Sequence, residues 1–115
     1  MKQFLLLVLI SILTFSSCQK KDIDCLTVLI NDFEKHESCS ESNVDEFDFK
    51  GKKVYLFDNS FCCCDYASDV YDSECKLLGF IGGISGNSMI EGEDFTSAKY
   101  VKTIWKSKSH KNEYK

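Results

Sequence analysis

Three consecutive cysteines, Cys62, Cys63 and Cys64, constrain this chain more than any other feature. With Cys75 they place four of its seven cysteines inside residues 62–75. Adjacent cysteines rarely bridge each other, because the required Cα separation and dihedral are strained. A run of three therefore points to different parts of a fold, and the loop that carries it is where the chain is tied. Phe61 opens this stretch, and Gly82, Gly83, Ile84, Ser85, Gly86 and Asn87 close it.

A chain of 115 residues holds at most one small domain. Its first residues read as a signal segment rather than as structure. Lys2 supplies a positive start, and residues 4–15 are apolar except for Ser11 and Thr14. That run is too short to span a bilayer comfortably. Ser16 and Ser17 then lead to Cys18. This order resembles a bacterial lipoprotein signal, in which cleavage precedes a cysteine that takes the lipid. Phe15, three positions before Cys18, departs from the small aliphatic residue usual there. The resemblance implies that residues 1–17 are removed as a signal peptide and that Cys18 carries palmitate-type acyl chains. Residues 18–24 would be the tether of an exported protein anchored in the cell envelope, with the outer membrane as the expected site.

Six cysteines follow Cys18: Cys25, Cys39, Cys62, Cys63, Cys64 and Cys75. An even number in a small exported domain reads as a disulfide framework. Each bridge contributes about 2–4 kcal/mol, a large share of a small domain's stability. Our expected pairing takes both Cys25 and Cys39 into the 62–64 run, with the remaining member of the run reaching Cys75. The net charge is −4 and no arginine is present. Such a chain is a poor match for nucleic acid, whose recognition rests on phosphate-neutralising cations and bidentate arginine.

Leu26, Leu29, Ile30 and Phe33 recur at helical spacing, with Asp32, Glu34 and Lys35 opposite them. Asp24 is the expected N-cap, with Asp22 as the alternative, and Cys25 and Cys39 bracket the helix. Residues 44–49 and 53–58 form a hairpin about Gly51, with Phe47 and Phe49 on one face. The β-branched and aromatic residues at 54–57 suit a central strand. Residues 68–72 and 76–81 form a second hairpin turning at Ser73 and Glu74. Glu91, Glu93 and Asp94 make an acidic loop. Residues 99–105 form a last strand, with Val101, Thr103 and Trp105 expected on one side. The expected domain covers residues 25–107, and residues 108–115 a flexible basic tail. The fold class is α+β: one N-terminal helix packed on an antiparallel sheet of about five strands, disulfide-stapled. That order of elements resembles cystatin-like and PepSY-like domains.

A second resemblance lies in motifs. Cys63, Cys64 and Asp65, then Tyr71 and Asp72, then the glycine segment 82–86 occur together with Gly92, Glu93, Asp94 and Phe95 and with Ile104 and Trp105. The joint pattern, over residues 25–106, resembles a group of small uncharacterised lipoproteins of Bacteroidota built on a domain of unknown function. It implies an envelope location and this fold, and brings no activity with it. The chain departs from the group in its third consecutive cysteine and in lacking a late cysteine after the glycine segment, so no pairing is carried over.

The chemistry these residues offer is limited. A thioredoxin-type site needs two cysteines separated by two residues at a helix N-terminus, and that spacing does not occur. Cys62 and Cys64 are one residue apart, a spacing that labile disulfides use. An envelope thiol–disulfide oxidoreductase working through Cys62 and Cys64 is therefore the alternative function. Zinc favours paired ligands on separate knuckles, and no metal site is expected. His36 is expected on the polar side of the helix, and His110 lies in the tail. Ser85 lacks nucleophile-elbow spacing, and no catalytic residue is expected. The glycine segment has neither the P-loop ending nor dinucleotide spacing, so no cofactor is expected. The acidic loop does not follow an EF-hand pattern. Loops on a rigid scaffold carry function, and the expected role is a non-enzymatic binding module. Its candidate residues are Phe61, Tyr66, Gly83, Ser85 and Asn87, on loops 59–67 and 82–94. Of Phe61, Tyr66 and Tyr71, two are expected in the core. The expected partners are membrane lipid through Cys18 and a protein of unknown identity.

Overall fold

The structure, a computed structural model, describes residues 24–36, 38–60, 62 and 66–108. The signal segment, Cys18, most of the tether, Phe61, Cys63, Cys64 and the tail from 109 onward lie outside the described residues. Helix α1 is Cys25–His36. Its first turn is capped at long range by Asp24, whose carboxylate accepts from the Leu26 amide at 3.4 Å. The Ser38 amide donates to the Phe33 carbonyl at 2.8 Å, and the Ser38 hydroxyl to the Glu34 carbonyl at 2.9 Å. These two bonds satisfy carbonyls that a helix end leaves open. The apolar stripe read from sequence is the packed one. Phe33 is its buried member, and its ring meets Phe57 edge-on at 5.2 Å and Trp105 at 5.7 Å.

Seven strands follow: β1 Asn43–Phe49, β2 Lys52–Asp58, β3 Ala67–Asp72, β4 Leu77–Gly82, β5 Met89–Ile90, β6 Glu93–Asp94 and β7 Lys99–Lys106. Five form an antiparallel sheet in the order β4-β3-β2-β1-β7. Strand β2 is therefore central, as its composition suggested. The β1–β2 turn uses positive φ at Lys50 (55°) and Gly51 (77°), the geometry that matches strand twist in a two-residue hairpin. Cys75 sits in the β3–β4 turn, also at positive φ (64°).

Only the first four strands are a meander. The last pairs with β1 instead of β4, so residues 83–98 cross the sheet from one edge to the other. They cross on the face away from α1. There Ile90 and Phe95 pack with Phe49, Val54 and Val70. On the helix side Phe33 packs with Val44 and Phe57, flanked by Tyr71, Ile104 and Trp105. Each sheet face carries a core, and Val54 and Phe57 of β2 each anchor one. The crossing segment contains the small β5–β6 hairpin, turned by Glu91 and Gly92 at positive φ, and a 3-10 turn, Phe95–Ser97. These short elements stand where the sequence alone predicts loop.

Strand β7 shifts register against β1 twice, between Val44 and Asp45 and between Glu46 and Phe47. Trp105 consequently faces Val44 on the helix side, whereas Thr103 faces Asp45 on the other side and bonds its carboxylate at 2.6 Å. Val101, Thr103 and Trp105 do not share a side as expected, because each bulge resets the two-residue alternation. The strand also runs through Lys106, paired with Asn43, and the Ser107 amide donates to the Ser42 carbonyl at 2.9 Å.

Among the described residues there are two disulfides. Cys39 bonds Cys62, as expected for a partner inside the cysteine run, with Cα atoms 5.6 Å apart. Cys25 bonds Cys75, with Cα atoms 6.2 Å apart, which corrects the expectation that it too would enter the run. The helix spans the length of the sheet, so its two ends cannot reach one loop.

The 39–62 bridge is nested inside the 25–75 loop. The shortest ring closed by Cys25 and Cys75 therefore runs through the inner bridge and holds about 28 residues, against 23 for Cys39 and Cys62. Chain entropy then gives the two bridges nearly equal weight, about 3.5 kcal/mol each. Urea unfolding of Cys25→Ser/Cys75→Ser and Cys39→Ser/Cys62→Ser should show losses within about 1 kcal/mol of each other. A difference well beyond about 1 kcal/mol would show that chain entropy does not set the weight of the two bridges.

Candidate functional site

Strand β2 ends at Asp58, β3 begins at Ala67 and β4 ends at Gly82, all at one end of the sheet. Ala67 pairs with Gly82, so Tyr66 and the 83–87 turn leave the sheet side by side. A Cβ on Gly82 would lie 3.7 Å from the Tyr66 carbonyl oxygen. The two loops singled out from sequence are thus brought together. Tyr66 is 61% exposed and Ile84 88% exposed. Tyr71, by contrast, is core, its ring 5.0 Å from Phe57. Phe61 lies outside the described residues.

Asn87 closes the turn on Gly82. Its backbone bridges Gly82 in both directions, at 2.8 and 3.2 Å. Its side-chain amide donates to the Phe80 carbonyl at 2.7 Å and to the Met89 carbonyl at 3.0 Å. Asn87 therefore closes the open edge of β4 and holds the turn in shape. Gly83 accepts from the Gly86 amide at 3.1 Å, with Ile84 and Ser85 exposed between them. The exposed side chains at this end are Tyr66, Ile84 and Ser85, and Asn87 supports the turn from beneath.

Under the loops lies a buried polar cluster that the sequence reading missed. The Ser42 hydroxyl accepts from the Cys39 amide at 2.7 Å, donates to Asn59 Oδ1 at 2.8 Å and sits 3.2 Å from Cys62 Sγ. The Asn59 amide donates to the Ser68 hydroxyl at 3.1 Å, and Ser68 donates to Asp58 at 3.2 Å. Ser42, Asn59 and Ser68 are all buried. Buried polar groups must find partners, and here they find each other around the Cys39–Cys62 bridge. Serines and an asparagine flanking loops were the only sequence signal, and their pairing is between distant segments.

The remaining sequence candidates are dispersed. His36 is exposed, 3.6 Å from Asp32 one helical turn earlier. Glu91 turns a hairpin, Glu93 faces Lys50 at 3.4 Å, and Asp94 caps the 3-10 turn by accepting from Thr96 at 2.9 Å. Cys62 is bonded to Cys39 rather than to Cys64, and Cys64 lies outside the described residues. A depression of about 340 Å³ at the other end of the sheet has a floor including Val54 and Ile90 and a rim including Lys52, Lys76 and Glu91. Among the described residues no cysteine, histidine, serine or threonine lines it. Between α1 and β3, burial pushes the Asp69 carboxyl above its ordinary value of 3.8. Among the described residues no helix is long and apolar enough to cross a membrane.

The family model described as a domain of unknown function, DUF6970, matches residues 31–107. The chain belongs to this family. The match runs from within α1 to one residue past β7, taking in the sheet, both loops, Cys39 and Cys62. Cys25 falls before it. No curated protein and no solved structure matches the chain.

Two predictions follow from this geometry. Asn87→Ala removes both edge-closing donors and should cost about 1–2 kcal/mol, with faster amide exchange at Gly82; unchanged exchange would show that the backbone bridge suffices. For Asp69, a raised folded pKa means that the contribution is fully present below the ordinary Asp value and is lost as pH rises through the folded value. Asp69→Asn should therefore match the parent at pH 3 and exceed it at pH 7 in urea melts. Equal stability at both pH values would contradict the burial of that carboxylate.

Proposed function

We propose that this chain is a lipid-anchored, non-enzymatic lipoprotein of a bacterial cell envelope, seated in the outer membrane. In this reading it holds its paired loops out to a protein partner. The order of Lys2, an apolar run, Ser16, Ser17 and Cys18 carries the reading. Two disulfides within the described domain support an oxidising compartment. The motif resemblance to lipoproteins of Bacteroidota supports the choice of envelope. The rigid end formed by Cys39, Cys62 and the Ser42 cluster supports a preorganised contact surface, since ordering loops beforehand lowers the cost of binding.

Growing cells that express the full chain with an alkyne-tagged palmitate analogue tests the anchor. The parent should take up label and partition into detergent, and Cys18→Ser should do neither. Label on the Cys18→Ser chain, or an unlabelled parent, would remove the anchor from the account.

A further inference from the structure

The anchored reading, on which this inference rests, does not say which surface of the domain meets the lipid. Six residues carry the chain from Cys18 to Asp24, and fully extended they reach only about 20 Å. Asp24 adjoins Cys25, and the Cys25–Cys75 bridge fixes that point at the β3–β4 turn. This end of the sheet is therefore leashed to the bilayer. Tyr66 and Ile84 lie at the other end of the six-residue strand β3, a further ~20 Å away.

Beside the bridge the surface is apolar. Val28, one helical turn after Cys25, is 54% exposed, and Leu77, two residues after Cys75, is 53% exposed; Phe80, 47% exposed, continues the apolar surface along β4 towards its middle. Leu77 pairs with Tyr71 and Phe80 with Asp69, which places both on the helix side of the sheet. The core beneath α1 draws on β1, β2, β3 and β7 and takes no side chain from β4. The helix thus leaves the β4 face bare next to the tether.

We infer that Val28, Leu77 and Phe80 form the surface on which the domain rests against the bilayer that holds its own anchor. The occupant is the head-group and upper acyl zone, where apolar side chains gain by leaving water. Lys76 in the adjacent turn is balanced by Asp72 and Glu74. Contact through these three side chains is apolar, whatever Lys20 and Lys21 of the tether and Lys50 and Lys52 at the same end add, and salt should not release it. Tyr66 and Ile84 then point away from the membrane, towards whatever the paired loops contact.

The test uses the full lipidated chain in phosphatidylcholine vesicles containing brominated lipid, with Trp105→Phe removing the single tryptophan. Leu77→Trp and, as a second probe, Val28→Trp should lose much of their emission, at low and at high salt. Tyr66→Trp should keep its emission. Equal quenching at all positions, quenching only at 66, or none anywhere while the chain floats with the vesicles would overturn this inference alone. A chain that does not float would overturn the anchor and this inference together.

Discussion

Helix α1 is about as long as the strands it crosses. Twelve residues at about 1.5 Å each give ~18 Å, and strands of six or seven residues at about 3.3 Å give ~20–23 Å. Its ends must therefore lie at opposite ends of the sheet, and each bridge can join only the loops within reach of its own end. A helix of this length is marginal in water on its own, and Phe33 is its one buried side chain. The bridges at Cys25–Cys75 and Cys39–Cys62 hold it to the sheet where packing alone is thin.

The same constraint gives the molecule two different ends. At one, Cys75 ties the helix start to a tight turn. At the other, Cys62 and the Ser42, Asn59 and Ser68 hydrogen bonds fix the bases of the exposed loops. The sheet between is protected on both edges. Strand β7 carries Lys99, Lys102 and Lys106 and two bulges, and β4 is closed by Asn87. Such devices discourage edge-to-edge pairing with other chains. The crossing segment 83–98 both supplies Asn87 and buries the second face through Ile90 and Phe95.

Much of this was legible in the residues. The spacing of Leu26, Leu29, Ile30 and Phe33 located the helix, and Gly51 and the aromatic run at 54–57 located the hairpin and the central strand. Those are local signals. What escaped was non-local. The one-residue insertion at Ile104 puts Thr103 and Trp105 on opposite faces, and alternation alone contains no mark of a bulge. The path of residues 83–98 depends on β7 choosing β1 over β4, which propensity does not encode. The partner of Cys25 was readable in principle from helix and strand lengths, had they been compared. Of the site, the meeting of the two loops followed from the β3–β4 hairpin. The role of Asn87 and the buried serines did not, because each acts through a contact with another segment.

Proteolysis of the unreduced, alkylated protein followed by mass spectrometry tests the central claim most directly. The account predicts one crosslinked peptide containing Cys25 and Cys75 and another joining Cys39 to the segment that carries Cys62. Cys25 found crosslinked to the 62–64 run, or any of these four thiols carrying the alkyl label, would contradict a helix fastened at both ends of its sheet.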